Sequence, residues 1–334
     1  MQRIAVIGAG AWGTALAAVA AGQAGRDVTL WAREPEVVAA IHDRRANTAF
    51  LPGIDLPAGI VVGDDLPAAV RGSDAVLLVV PAQHMQAMAE RLAPDLGPDV
   101  PVVVCAKGIE TRTRRLMTEV LDDALPGRPQ AVLSGPTFAG DVARGLPAAV
   151  TLAAWDPALA QRLTDALGSR TFRPYAASDP IGVQIGGAVK NVVAIACGII
   201  AGRGLGENAR AAVITRALAE ITRLGVARGA HAATFSGLSG LGDLTLTCTS
   251  TTSRNYSLGM ALARGEAKDA ALGARPSVAE GAYTAEAVTA MADAYGVDMP
   301  ICAGVDAVLN RGAAVGATID DLLARPFKTE GVRA

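Results

Sequence analysis

Hydrophobic residues in the first half of the chain fall in short unbroken runs, whereas in the second half they recur at helical spacing. Runs at 3–7, 28–31, 75–80, 102–105, 131–133 and 148–153 are rich in valine, leucine and alanine, and 171–175 reads as a further strand around Phe172 and Tyr175. Continuous runs of this length predict strands buried on both faces rather than strands with one wet face. The longer stretches between them read as helices, so the strands are joined by crossovers and the sheet is mostly parallel. The pairing of the last two strands stays open, an antiparallel edge being one arrangement.

After Ser178 the strand runs stop. Asp179 followed by Pro180 is a helix start, with Asp as cap and Pro in the first turn. Helices are expected at 180–201, 207–228, 254–264, 278–295, 300–310 and near 319–323, with a loop at 273–277. The pattern predicts an α/β domain over 1–178 and an all-α domain over 179–334. A chain of 334 residues is long enough for two cores. The most apolar stretch, 192–201, is about half a bilayer span and reads as a buried core helix. The apolar run at the N-terminus is too short for a signal peptide and leads directly into folded sequence.

Composition narrows the classes. The chain is 51% hydrophobic and 19% charged, with a net charge of −2. That is globular and lacks the basic block of a nucleic-acid binder. Cys105, Cys197, Cys248 and Cys302 are scattered, as are His42, His84 and His231, so neither a disulfide framework nor a metal cluster is expected. Only Lys107, Lys190, Lys268 and Lys328 among the 30 basic residues are lysines. Lysine can release a proton in a protein and arginine in practice does not, so each retained lysine is a candidate for chemistry.

The first such chemistry is nucleotide binding. Gly8-Ala9-Gly10-Ala11-Trp12-Gly13 follows the first strand and opens a helix, the context a dinucleotide-binding glycine loop requires. Gly8 permits a tight turn, Gly10 lets backbone approach a pyrophosphate, and Gly13 lets helix and strand pack closely. The pyrophosphate is expected on the N–H groups of the helix start. The expected fold is thus an α/β N-terminal Rossmann-like domain with a mostly parallel sheet, plus an all-α C-terminal domain. The second strand ends at Arg33-Glu34. Arginine there suits the 2′-phosphate of NADPH, and an acidic neighbour suits the ribose hydroxyls of NADH. Either cofactor is admissible, with NADPH favoured by Arg33.

Catalytic candidates lie after strand ends and in the helical half. Lys107 follows an apolar strand and precedes a glycine, a position that aims an ammonium into the ligand cleft. Ser134-Gly135-Pro136-Thr137 offers hydroxyls and backbone donors for an anionic substrate. Lys190 stands inside an apolar helix, where a buried lysine needs a partner. Desolvation or a nearby cation there would lower its pKa and make it a proton donor and acceptor. Gly240-Leu241-Gly242-Asp243 places a carboxylate in a tight glycine-rich turn. Ser253-Arg254-Asn255 falls at a helix start suited to phosphate.

Together these segments resemble the bacterial NAD(P)-dependent glycerol-3-phosphate dehydrogenase family. The resemblance is carried by GAGAWGTALA, CAKGIE, SGPTFA, GVQIGGAVKNVVAI, GLGDLTLTCTS, SRN and SVAEG, in family order over nearly the whole chain. It implies reversible hydride transfer between NAD(P)H and dihydroxyacetone phosphate, giving sn-glycerol 3-phosphate. It also implies that Lys190 is the general acid and base, that Lys107 stabilises the oxyanion, and that Asp243 orients Lys190. Lys107, Gly135, Thr137, Lys190, Asp243, Ser253, Arg254 and Asn255 would bind substrate. Gly8, Gly10, Ala11, Trp12, Gly13, Arg33, Lys107, Ala139, Arg254, Val278 and Glu280 would bind cofactor. The family resemblance further implies a cytoplasmic homodimer that feeds phospholipid synthesis, without membrane insertion or nucleic-acid partners. A β-hydroxy-acid dehydrogenase shares the two-domain plan and a lysine-asparagine pair, but GLGDL and SRN speak against it. A non-catalytic nucleotide sensor would not need Lys190 and Asp243.

Overall fold

In β1 (Arg3–Ile7), Ile4 and Val6 enter one hydrophobic core while Ala5 and Ile7 enter another. That alternation, with every second residue apolar on each side, is what burial of a sheet on both faces demands. The computed structural model describes residues 1–273, 279–326 and 329.

Among the described residues, β1, β2 (Asp27–Trp31), β3 (Ile60–Gly63), β4 (Ala75–Leu78), β5 (Val102–Val104), β6 (Gln130–Ser134), β7 (Ala148–Ala153) and β8 (Phe172–Ala177) form one sheet. Its order is β3-β2-β1-β4-β5-β6-β7-β8. Pairings from β3 through to β6 are parallel. β7 runs antiparallel to β6, and β8 pairs with β7 in parallel. The open question about the last two strands thus resolves into a parallel pair added antiparallel to the rest. β3 was not among the expected strands. It is four residues long at the sheet edge, with Val61 67% exposed, so it lacks a sustained buried run.

Helices α1 (Ala11–Ala21), α2 (Pro35–Arg44), α3 (Leu66–Val70), α4 (Met85–Leu92), α5 (Met117–Ala124), α6 (Ala139–Ala143) and α7 (Pro157–Leu167) lie between the strands. α1, α2, α6 and α7 fill the core on the Ile4 side. α3, α4 and α5 fill the core on the Ile7 side.

The remaining helices are α8 (Pro180–Gly202), α9 (Gly206–Ala227), α10 (Asp243–Cys248), α11 (Arg254–Ala263), α12 (Lys268–Gly273), α13 (Glu280–Ala294), α14 (Pro300–Asn310) and α15 (Val315–Leu323). Asp179 caps α8 through a hydrogen bond from the Gly182 N–H at 2.9 Å. α8 has a mean hydropathy of 1.7 over its most apolar window, but 83% of that window is buried within the protein. It is a core helix. α15 starts at Val315, earlier than the expected 319. Gly273 closes α12, and the rest of the expected 273–277 loop, like Val278, lies outside the described residues. The chain divides into two compact units: Met1–Lys107 with Arg115–Gln184, and Gly108–Arg114 with Ile185–Ala334. All four cysteines are buried free thiols.

Candidate active site

In the first unit, the glycine loop has the backbone its sequence demands. Gly8 has φ of +112°, and a Cβ there would sit 2.7 Å from the Val79 carbonyl oxygen. A Cβ on Gly13 would overlap the Gly8 carbonyl oxygen, so α1 can press on the turn only without one. A Cβ on Gly10 would meet nothing within 4 Å. Gly10 is the N-cap of α1, and no side chain caps that end. The start of α1 thus presents backbone donors and the positive end of the helix dipole to open space. The Trp12 indole N–H is buried there without a hydrogen-bond partner. This cradle fits a dinucleotide pyrophosphate.

Arg33 lies just past β2 with its side chain 74% exposed, and it pairs with the Glu34 carboxylate at 2.6 Å. Glu34 is the residue before α2. The cationic and acidic candidates for the adenosine ribose are therefore joined to each other. Ala139 begins α6, partly buried against the core.

Lys107 and the Ser134–Thr137 segment, separate candidates in the sequence, converge on one atom. Lys107 Nζ donates to the Gly135 carbonyl oxygen at 2.9 Å, and Thr137 Oγ1 donates to the same oxygen at 3.2 Å. A Cβ on Gly135 would approach Val150 Cα to 2.7 Å, so the loop can lie on β7 only with glycine there.

In the second unit, Lys190 is 5% exposed and Asp243 is fully buried. Lys190 Nζ donates to Asp243 Oδ1 at 2.5 Å and to Thr247 Oγ1 at 2.7 Å. The group beside the buried ammonium is the Asp243 carboxylate, not a cation that would lower its pKa. A charge-assisted bond of this kind offsets the desolvation of both ions. Thr247 Oγ1 donates to the Asp243 backbone oxygen at 2.7 Å, which leaves its lone pairs to accept from Lys190.

The glycine-rich turn expected at 240–243 is instead a π turn (Leu238–Gly242) that runs on into α10, with Asp243 as the first residue of that helix. A Cβ on Gly240 would overlap the Phe235 carbonyl, and one on Gly186 would lie 2.5 Å from the Ser239 carbonyl oxygen. Bare backbone at Gly186 lets α8 touch the π turn, and bare backbone at Gly240 lets that turn close on Phe235, which together bring Asp243 to Lys190. Widened helical turns of this kind are common at functional sites.

Ser253 caps α11, its Oγ accepting from the Tyr256 N–H at 3.3 Å. Arg254 is exposed. Asn255 is buried: its Nδ2 donates to Asn191 Oδ1 at 3.0 Å and its Oδ1 accepts from the Gly281 N–H at 3.0 Å. The Asn255 amide therefore ties α8 to α13, next to Glu280, the first residue of α13.

Thr247 was missed as a site residue. Its signal was spacing: it stands four residues after Asp243, one helical turn on, but only the helix makes that turn visible. Burial pushes the thiol of Cys248 up, and its contact with the Cys197 thiol adds to the rise. Among the described residues no three His, Cys, Asp or Glu side chains gather as a metal site.

Comparison with known proteins places these features in one family. Residues 3–160 match the NAD-dependent glycerol-3-phosphate dehydrogenase N-terminus and residues 179–320 match the C-terminus of the same family. A glycerol-3-phosphate dehydrogenase (NAD(P)+) of Rhodospirillum rubrum is 56% identical over 331 residues, covering 99% of this chain and 95% of that one. The protein of the same name from Caulobacter vibrioides is 56% identical over 329 residues, 98% of this chain and 99% of that one. The crystal structure of glycerol-3-phosphate dehydrogenase from Coxiella burnetii superposes with a TM-score of 0.93 at 38% identity, covering 97% of this chain and 99% of that chain.

Proposed function

The chain belongs to the NAD-dependent glycerol-3-phosphate dehydrogenase family, and on that premise we propose which residues carry its reaction. It is an NAD(P)-dependent oxidoreductase that reversibly reduces dihydroxyacetone phosphate to sn-glycerol 3-phosphate. The observation that carries the assignment of roles is the buried Lys190–Asp243 ion pair at 2.5 Å.

When bound, the reduced nicotinamide supplies the hydride. The Gly8–Gly13 loop and the N–H groups opening α1 hold the pyrophosphate. By the family resemblance, Ala11, Trp12, Arg33, Lys107, Ala139, Arg254 and Glu280, with Val278 outside the described residues, would line the rest of the cofactor. Arg33 recognises a 2′-phosphate, so NADPH is the favoured donor and NADH an admissible one.

Hydride arrival at C2 turns the carbonyl oxygen into an alkoxide. Lys190 Nζ gives that oxygen a proton, and in the reverse direction the neutral amine takes it from the hydroxyl. Asp243 and Thr247 hold Nζ in place by the two bonds described, so the ammonium is oriented before reaction begins. Lys107 adds positive charge for the developing oxyanion. Gly135, Thr137, Ser253, Arg254 and Asn255 hold the phosphorylated substrate, with the Arg254 guanidinium pairing the phosphate. The assignment extends to a cytoplasmic homodimer serving phospholipid synthesis.

Initial rates with purified protein, dihydroxyacetone phosphate and either NADH or NADPH test the reaction. Lys190→Ala tests the mechanism. Its kcat is expected to fall by about 10²–10⁴-fold, as for loss of a general acid, and to recover in part with an added primary alkylamine. Near-normal kcat in the variant, or turnover of β-keto acids in place of the phosphorylated ketone, overturns the proposal.

A further inference from the structure

Asn47 is fully buried in the first unit, and no part of the reaction scheme uses it. Its side chain reaches the glycine loop. Asn47 Nδ2 donates to the Ala9 carbonyl oxygen at 2.8 Å and to Thr14 Oγ1 at 2.8 Å. Its Oδ1 accepts from the Phe50 N–H at 3.1 Å. Thr14 Oγ1 in turn donates to the Ala9 oxygen at 3.3 Å. Both amide hydrogens and the amide oxygen are thus engaged, and a flipped amide would set two donors against the Phe50 N–H.

We propose that Asn47 is a positioning residue for the cofactor's pyrophosphate, acting through the Ala9–Gly10 peptide. A trans peptide points its C=O and N–H in opposite directions. Two donors draw the Ala9 carbonyl inward, so the Gly10 N–H is turned outward. Gly10 itself borders open space, since a Cβ there would meet nothing within 4 Å. The brace is itself fixed. Arg45, the residue after α2, has φ of +52°, a left-handed conformation that ends the helix. The Arg45 guanidinium donates to the carbonyls of Ile60, at 3.1 Å, and Pro57, and the Arg45 carbonyl accepts from the Leu56 N–H at 2.7 Å. Asn47 therefore stands on a stapled segment, and the orientation of the Ala9–Gly10 peptide is set before any ligand arrives.

The proposal rests on the placement of the pyrophosphate at this loop, and a separate variant tests that placement. Gly10→Val fills the open side directly and must weaken ADP and NADH binding if the pyrophosphate lies there. Asn47→Asp removes both donors and sets a carboxylate beside the Ala9 oxygen. With Gly10→Val weakening both ligands, Asn47→Asp is expected to raise the Kd for ADP, measured by calorimetry, and the KM for NADH at least about tenfold, as for loss of a buried hydrogen-bond donor. The KM for dihydroxyacetone phosphate and kcat at saturating cofactor are expected to stay within about twofold. If Asn47→Asp does not fold, Thr14→Val decides: it keeps the side-chain shape, removes one donor to Ala9, and is expected to raise the same cofactor constants about threefold. An unchanged Kd for ADP in the folded variant overturns the proposal, as does an equal loss of affinity for cofactor and substrate.

Discussion

Arg33 shows how much of a preference one side chain can set. Its guanidinium is exposed and, among the described residues, pairs with Glu34 alone, and an exposed pair of this kind is worth at most about 1 kcal/mol. A cofactor 2′-phosphate can therefore take the guanidinium over at small cost, forming a stronger charge-assisted contact. Arg33→Ala is expected to raise the KM for NADPH about tenfold while the KM for NADH stays within about twofold. Initial rates at fixed dihydroxyacetone phosphate measure both, and an equal rise for the two cofactors would remove Arg33 from the 2′-phosphate role. Arg33 and Lys190 could be singled out in the sequence because each breaks a local rule: a charge at the ribose position after a strand, and a lysine in an apolar helix. Thr247 and Asn47 break no local rule. A threonine in a polar stretch and an asparagine after a helix are ordinary, and their roles come from partners supplied by folding.

At the scale of elements, the central strands were readable because burial on both faces forces unbroken apolar runs, whereas β8 was expected at the other edge although, beyond Phe172, it is half-buried or exposed. β3 was not, since one side of an edge strand stays wet and its four residues carry too little pattern. The π turn was not readable either. Glycines in sequence speak for a turn, but whether the chain reverses or continues into a helix depends on what presses against it. Here that is the Phe235 carbonyl and α8. Gly240→Ala tests the point. The added methyl has to push the π turn away from Phe235, at a cost of about 1–3 kcal/mol typical of overpacking. Because Asp243 follows directly, the variant is expected to lose about tenfold or more in kcat with cofactor KM little changed. Melting temperature and kinetics measured together check this. A variant that loses stability but keeps full kcat would show that the π turn serves packing alone.

At the scale of the whole molecule, the proposed scheme divides the chemistry between the two units: the dinucleotide cradle is assigned to the sheet and the proton donor to the helices. Stability also depends on a carboxylate that no motif announces. Glu220 of α9 is 2% exposed and accepts from the N–H groups of Ile301 at 2.9 Å and Cys302 at 3.3 Å, in the first turn of α14. Burial raises its pKa from 4.5 to about 7, with the two backbone donors and Arg223 opposing the rise only in part. The Cys302 thiol beside it is pushed well above its ordinary value by burial and by Glu220. The folded protein therefore holds a proton on Glu220 that the unfolded chain releases above 4.5. The associated stability is fully present below pH 4.5 and is lost as pH rises towards and through 7, by roughly 3 kcal/mol in all. Unfolding measured from pH 5 to 8.5 is expected to show this decline, superposed on whatever the other groups contribute. In Glu220→Gln, where the amide oxygen still accepts from the helix start but nothing titrates, the decline is expected to flatten by about that amount. Parallel pH profiles for the two proteins would mean that Glu220 is ionised in the folded state throughout, held by α14 rather than neutralised by burial.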